Sequence, residues 1–177
     1  MSVSSLLGAV QGLRVFDLAQ SIEARMPVSP NHPGFKMALQ RRHGDMVRAD
    51  GGSAANEMMM LGGHTGTHID ALCHVFVKGR MYNDFPAADV KSTGALRNDV
   101  WPIRDGIVAR GVLLDIPRAL GLPYLDGDAR VSVAELEAAE SAAGLRVESG
   151  DVLVVHIGRE ARVAAEGAFD PGVAGLA

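Results

Sequence analysis

The sequence predicts a mixed α/β fold, a mixed sheet with flanking helices, in a single domain that spans residues 1–177. Two continuous apolar runs, residues 111–116 and 152–157, are typical of buried strands. Residues 133–143 lie between these runs and have the composition and the end signals of a helix. This strand, helix, strand order follows a strand-rich first half, and a chain of 177 residues can bury one core.

Three strands are predicted in the first half. Residues 13–18 (LRVFDL) are apolar and partly β-branched, which indicates the first strand. Residues 36–42 alternate moderately between apolar and polar side chains, and residues 56–61 form the third strand. The third strand leads through glycines 62 and 63 into a group of histidines, which therefore lie where a strand ends and a loop begins.

The second half contains the predicted helices. A short helical stretch is expected at residues 87–91. The clearest helix is 133–143, because Ser132 can cap it, Glu135 lies three residues further on as a capping box requires, and Gly144 can end it.

The composition is that of an ordinary globular protein, with 47% hydrophobic and 21% charged residues. No window approaches the roughly 18 uninterrupted apolar residues of a membrane span. Residues 1–13 lack the basic start of a secretory signal and are expected to form a frayed end or a short helix. A net charge of -4, with Lys and Arg scattered, argues against nucleic-acid binding. Cys73 is the single cysteine, which excludes an internal disulfide and favours a soluble, cytoplasmic protein.

The strongest functional signal is the segment His64-Thr-Gly-Thr-His68-Ile-Asp70-Ala-Leu-Cys-His74. Three of the six histidines of the chain fall within these eleven residues. Imidazole and carboxylate groups are the preferred ligands of zinc, manganese or iron. A set of two His and one Asp leaves coordination positions open for water and substrate, and an open position indicates catalysis rather than a structural role.

The residues between the ligands favour a loop that curls around an ion. Gly66 permits a tight turn, whereas Thr65 and Thr67 can bond backbone groups and orient their neighbours. The helical His-Glu-x-x-His arrangement of zinc proteases is absent. A divalent ion lowers the pKa of water to about 7 and polarises a carbonyl group. If His74 lies near the ion without binding it, it can take a proton from water and return it to the leaving group.

At these residues the sequence resembles the cyclase family of metal hydrolases, which includes bacterial kynurenine formamidase and isatin hydrolase. The family signature is HxGTHxDxPxH, and every fixed position matches except that Leu72 stands where many members have proline. Residues 16–18 (FDL), 26–28 (MPV) and 150–153 (GDVL) are also similar to the opening and the penultimate strand region of the family. The resemblance therefore spans most of the chain.

The resemblance implies a swivelling β/β/α domain and a homodimer or higher homo-oligomer. It also implies that His64, His68 and Asp70 bind one or two divalent ions, with zinc or manganese expected, and that His74 is the catalytic acid/base. Family members usually continue further, and their later region supplies a further His and a Glu or Gln to the site. Because no histidine follows His156, the chain is expected to lack the usual C-terminal part of the family.

Other residues have weaker functional signals. The run 58–60 (MMM) is expected to pack in a core, with a flexible pocket wall as the alternative. Phe35, Met60 and Trp101 are candidates for contacts with the substrate. His156, where the family tends to have Arg or Thr, is predicted to be a core or pocket residue rather than a ligand. Cys73 is not expected to be a nucleophile, because metal-activated water makes a thiol unnecessary.

The sequence therefore predicts a hydrolase that uses metal-activated water to cleave a carbon–nitrogen bond in a small amide, formamide or cyclic amide. Two alternatives stay open. The same metal and base can open a lactone or dehydrate a hydroxy acid, and a short chain can be a metal-binding module without full activity.

Overall fold

The computed structural model describes residues 8, 11–29, 31–167 and 174–177. Most of the predicted terminal segment 1–13 lies outside these residues. The strands are β1 (Lys36–Arg41), β2 (Asn56–Met60), β3 (Val90–Lys91), β4 (Gly94–Ala95), β5 (Gly111–Asp115), β6 (Arg130–Val131), β7 (Val152–His156) and β8 (Gly175–Leu176). The helices are α1 (Ile116–Leu120), α2 (Val133–Ala143) and α3 (Arg159–Glu166), with 3-10 turns at Tyr82–Asp84, Ala87–Asp89 and Trp101–Ile103.

The chain divides into two compact units. The first consists of Met1–Met26 and Gly34–Thr67, and the second consists of Pro27–Pro33 and His68–Ala177. The organisation of the whole chain as a single domain stays a prediction.

The first unit contains the antiparallel pair β1–β2. Its register places Lys36 opposite Met60 and Ala38 opposite Met58. All side chains of both strands are exposed, so the prediction that the methionines pack in a core is wrong. Within the described residues β1 and β2 form a two-stranded sheet, and such a ribbon buries little of its own apolar surface.

The strand predicted at residues 13–18 is also wrong. Within the described residues this segment belongs to no strand, and Val15 and Leu18 are exposed. Asp17 instead accepts a hydrogen bond from the backbone N–H of Ala19 (2.8 Å), which forms a local turn. The apolar composition indicated a strand, but a strand also needs a neighbour with which to exchange backbone hydrogen bonds.

The hydrophobic core lies in the second unit. β5 and β7 pair in parallel, and the connection between them contains the helix α2, as a parallel pair usually requires. Val112 and Leu114 point from the same face of β5 and are almost completely buried. They pack with a cluster of apolar side chains: Ile116, Leu125, Val131, Ala139 and Ala174. Both strands lie where they were predicted, each one residue shorter than expected. The predicted burial is wrong for β7, because Val152, Leu153 and Val154 are exposed. It holds for β5 only at alternate residues, because successive side chains of a strand point to opposite faces.

The helix α2 confirms the predicted end signals. The Ser132 side chain accepts from the Glu135 N–H, and the Glu135 carboxylate accepts from the Ser132 N–H at 2.7 Å. Gly144 ends the helix in the left-handed conformation (φ +64°). The inner face of the helix carries Ala139 into the core, with Leu136 packed against it. The capping box therefore fixes where the crossover helix begins.

Two local predictions need correction. Only Ala87–Asp89 of the stretch 87–91 is helical, because Val90–Lys91 pairs with Gly94–Ala95 as a short ribbon. The run 111–116 ends at Asp115, since Asp115 caps the short helix α1 and takes Ile116 out of the strand.

The architecture is mixed α/β, as predicted. Among the described residues the strands form small two-stranded sheets, including the parallel pair β6–β8, rather than the predicted mixed sheet. The swivelling β/β/α arrangement stays a prediction. Among the described residues, none of the helices has the length and apolar character needed to cross a bilayer.

Candidate metal centre

The turn at the start of the histidine motif is built on glycine. Gly66 has a φ of +64°, the left-handed region that side chains with a Cβ rarely adopt. A Cβ at this position would also lie 3.0 Å from Cε of Met26, which is itself buried. The predicted tight turn is therefore present. Both its backbone conformation and the close approach of Met26 favour glycine at position 66.

The two threonines of the motif have different environments. Thr67 Oγ1 accepts a hydrogen bond from the backbone N–H of Gln20 at 2.8 Å, which ties the loop to the preceding segment as expected. Thr65 is only 3% exposed, and its Oγ1 has no hydrogen-bond partner within the described part of the chain. The predicted bond from Thr65 to a backbone group is therefore not found there.

The end of the motif is held by backbone hydrogen bonds within the second unit. The Cys73 N–H donates to the carbonyl of Asn98 (3.0 Å), and the His74 N–H donates to the carbonyl of Ala71 (2.8 Å). Asn98 is fixed in turn, because its side-chain amide donates to the Tyr82 carbonyl at 2.8 Å. The backbone that carries His74 is thus positioned before any ligand binds.

Three side chains of the motif converge. One ligand atom from each of His64, Asp70 and His74 lies within 4.8 Å of the others. These distances are internal to one continuous loop of eleven residues. His68 lies beside the same carboxylate, with its Nε2 atom 3.4 Å from Oδ1 of Asp70. Asp70 is therefore the common neighbour of the histidines.

The donor set fits a divalent transition-metal ion. Two imidazoles and a carboxylate supply nitrogen and oxygen ligands of the kind that zinc and manganese accept. Asp70 and His74 are exposed and His64 is half-buried, so water and a small substrate can reach the group. The His-His-Asp cluster can bind a metal ion, and its accessibility is that of an open site rather than a closed structural one.

Comparison with known proteins places the chain in a family. The family model described as "Putative cyclase" matches residues 16–176. The chain belongs to the cyclase family. The predicted resemblance is thereby confirmed over nearly the whole sequence.

A solved structure of a novel cyclase has a similar fold. It matches with a TM-score of 0.69 and 24% sequence identity, over 88% of this chain and 55% of that chain. The present cyclase-family chain thus spans about half the length of that protein. No protein of curated function matches it.

The three predicted substrate contacts lie in different parts of the cyclase-family chain. Phe35 is half-buried and immediately precedes Lys36, the residue that pairs with the exposed Met60. Trp101 is 68% exposed and belongs to the second unit. Their contact with a substrate stays a prediction, as do the individual roles in the histidine motif.

His156 is neither a core residue nor a member of the cluster. It is exposed at the carboxyl end of β7, with its Nδ1 atom 3.0 Å from Oδ1 of Asp115. This hydrogen bond is the main reason why the pKa of Asp115 lies below its usual value. Sequence reasoning missed the pair, although the ends of two neighbouring parallel strands meet at one edge of a sheet and could have indicated it.

Arg104 was also missed. Its guanidinium lies 4.9 Å from the centre of the Trp101 ring. The spacing of three residues in Trp-Pro-Ile-Arg, which brings side chains together in a helical turn, was the available signal.

Proposed function

We propose that this cyclase-family chain is a metal-dependent hydrolase that cleaves a carbon–nitrogen bond in a small amide, formamide or cyclic amide. The observation that carries the proposal is the convergence of ligand atoms from His64, Asp70 and His74 within 4.8 Å, in a segment that the cyclase family model covers. Membership of the cyclase family points to an enzyme, and the accessibility of the cluster supports an open site.

His64, His68 and Asp70 would hold the ion, with zinc or manganese expected and one or two ions accommodated. Such an ion supplies Lewis acidity, which lowers the pKa of water to about 7 and polarises the substrate carbonyl. Asp70 would supply the negative charge beside the ion. Its distances to the histidines support this role, since it lies within 4.8 Å of His64 and His74 and 3.4 Å from His68.

His74 would move the protons. In the proposed reaction it takes a proton from the water whose oxygen adds to the carbonyl carbon. It then gives that proton to the departing nitrogen as the carbon–nitrogen bond breaks, so that acid and amine are released. The backbone bond from its N–H to Ala71 fixes its position in the loop.

The proposal is tested by measuring metal content and amide hydrolysis in single alanine variants. His64→Ala, His68→Ala and Asp70→Ala should lose the ion. His74→Ala should keep the ion and lose about 100-fold or more in kcat, the typical contribution of a general base. His43→Ala is the matched control, because His43 is exposed and lies outside the motif.

The structure raises an alternative assignment in which His74 binds the metal and His68 is the base. His74, not His68, belongs to the group of three within 4.8 Å. Loss of metal in His74→Ala with retention in His68→Ala would assign His74 as the ligand and His68 as the base. Retention of metal in all variants would contradict the site altogether.

The class of bond is tested with matched amide and lactone substrates. Preference for the amide supports the proposal, whereas preference for the lactone, or dehydration of a hydroxy acid, would replace it with the other chemistry of the family. Bound metal without turnover of any of these would favour a binding module.

We also propose that the protein acts as a homodimer or higher homo-oligomer on a small molecule, in the cytoplasm, without nucleic acid or membrane. The oligomer is supported by the exposed apolar side chains of β1 and β2, since contiguous exposed apolar surface is typical of interfaces. Light scattering of the purified protein tests it, because a monomer at all concentrations would contradict it.

A further inference from the structure

An apolar groove in the second unit begins at the histidine motif. Its volume is about 360 Å³, within the usual range for small-molecule sites. The lining consists of four branched aliphatic side chains, one glycine and one cation: Ile69, Val100, Ile103, Ile107, Gly106 and Arg104. Ile69 stands between His68 and Asp70 in the sequence, so part of the groove lining belongs to the segment that carries the proposed ligands.

Among the described residues that line the groove, Arg104 is the one that carries a charge. Its guanidinium lies against the ring of Trp101, and its Nη1 donates to the Trp101 carbonyl at 3.2 Å. Asp105 is a distant partner, with 4.0 Å between its Oδ1 and the Arg104 Nε, and both side chains are largely exposed. Because a guanidinium has five N–H donors, these contacts leave it able to bind a carboxylate in a bidentate manner.

We propose that this groove binds the body of the substrate and that Arg104 selects substrates with a carboxylate. The preferred substrate is then a small amide with an aliphatic or other apolar body and an anionic group. This inference rests on the proposed function for the identity of the scissile bond. The role of Arg104 and of the groove is a matter of binding and can be measured separately.

Binding is read from the fluorescence of Trp101, the single tryptophan of the chain, which the Arg104 side chain contacts. The metal-loaded protein is titrated with N-acetyl-L-leucine and with N-acetyl-L-leucinamide. The two probes differ only in the terminal group, which is a carboxylate in the first and a neutral amide of similar size in the second. The carboxylate should bind about 10- to 100-fold more tightly, the range expected for a charge-assisted hydrogen-bond pair in place of a neutral one.

Arg104→Gln should remove the preference for the carboxylate, and Arg104→Lys should restore only part of it, since lysine keeps the charge without the planar fork. Arg97→Gln is the matched control. Arg97 also lies over an aromatic ring, 5.1 Å from the centre of Phe85, but does not line the groove. An equal loss in Arg97→Gln and Arg104→Gln would overturn the assignment, as would equal affinity of the wild type for both probes.

The apolar part of the groove is tested with Ile107→Ser against Val108→Ser. Val108 is fully exposed and adjacent in sequence, but it does not line the groove. Ile107→Ser should weaken the binding of both leucine probes several-fold, and Val108→Ser should not. If Ile107→Ser instead changes the oligomeric state and leaves probe binding intact, the groove is an interface between copies, and the proposal is wrong.

Hydrolysis of N-formyl-L-leucine and N-formyl-L-leucinamide separates the two proposals. A lower KM for the carboxylate compound than for the amide compound, with no such difference in Arg104→Gln, supports both the proposed hydrolysis and the Arg104 subsite. Selective binding without hydrolysis would refute the proposed hydrolysis of these amides and leave the Arg104 subsite standing. Hydrolysis of both compounds at equal kcat/KM, with unselective binding, would support the proposed hydrolysis and refute the Arg104 subsite.

Discussion

Replacing Gly66 by alanine should destabilise the protein through the histidine loop. The left-handed backbone at φ +64° costs an L-residue about 1–2 kcal/mol. Alanine recovers about 0.4–1 kcal/mol of this by restricting the unfolded chain. The new Cβ would lie 3.0 Å from Cε of Met26, and the end of a flexible side chain can shift by a few tenths of an ångström. The expected net loss is about 1 kcal/mol, or about 2–4 °C in Tm.

The assay is thermal unfolding of Gly66→Ala and Gly63→Ala, with and without added zinc. Gly63 is the matched control, because its φ lies outside the left-handed region and nothing lies within 4 Å of a Cβ built there. Gly63→Ala should therefore change the free energy of unfolding by less than about 0.5 kcal/mol.

Gly66→Ala should also weaken zinc binding, since residue 66 lies between His64 and His68. Equal Tm values for the two variants would refute the reasoning, because they would mean that the turn at residue 66 relaxes without strain. A lower Tm with unchanged zinc affinity would show that the turn supports the fold but does not set the ligand positions.

Three further substitutions test the packing and the charges. Thr65→Val should raise the free energy of unfolding by up to about 1 kcal/mol in urea, because it removes a buried hydroxyl without a partner in the described chain; destabilisation would mean that the hydroxyl is satisfied by water. Leu114→Ala should cost about 2–5 kcal/mol, and Leu113→Ala, at 54% exposure against 1%, far less. A hydrogen bond from the Arg110 side chain lowers the pKa of Asp151 to about 2. The ionised Asp151 therefore stabilises the folded protein fully above its unfolded pKa of about 3.9, and this contribution is lost as the pH falls towards 2. Asp151→Asn should therefore have a lower Tm than the wild type at pH 6, with a difference that shrinks below pH 4; a constant difference would contradict this.

The elements that could be predicted from sequence are those whose signals are local. The helix α2 was located to the residue, because Ser132, Glu135 and Gly144 specify its ends through their own backbone and side-chain chemistry. The strands β5 and β7 were located within one residue, because each is a short continuous apolar run. Their burial was overestimated, since Leu113, Val152 and Leu153 are exposed.

The errors share a physical cause. Residues 13–18 have the composition of a strand, but pairing depends on a neighbour that composition does not reveal. The methionines at 58–60 were expected in a core, although β2 is part of a two-stranded ribbon whose faces are both exposed. Burial is a property of the assembled structure, and so a run of apolar residues predicts it only where another element covers that run.

The residues of the candidate site could be predicted from the sequence, but their arrangement could not. The motif identified all four ionisable side chains, but not that Asp70 would be the neighbour common to the three histidines. The groove could not be predicted, because its lining comes from residue 69 and from residues 100–107, and only the fold brings these together.

Different segments of the chain contact the two ends of the histidine motif, so substitutions in these segments should affect different parts of the motif. Thr67 is hydrogen-bonded to Gln20, and Met26 packs close to Gly66, so substitutions in the early segment should act on the turn between His64 and His68. Cys73 is fixed by Asn98, and the groove is lined by residues that follow closely. Substitutions there act on the proposed binding surface without touching the glycine turn. The turn between His64 and His68 and the lining of the groove are therefore supported largely by different stretches of sequence, whereas Asp70 and His74 lie close in sequence to Ile69 of the groove.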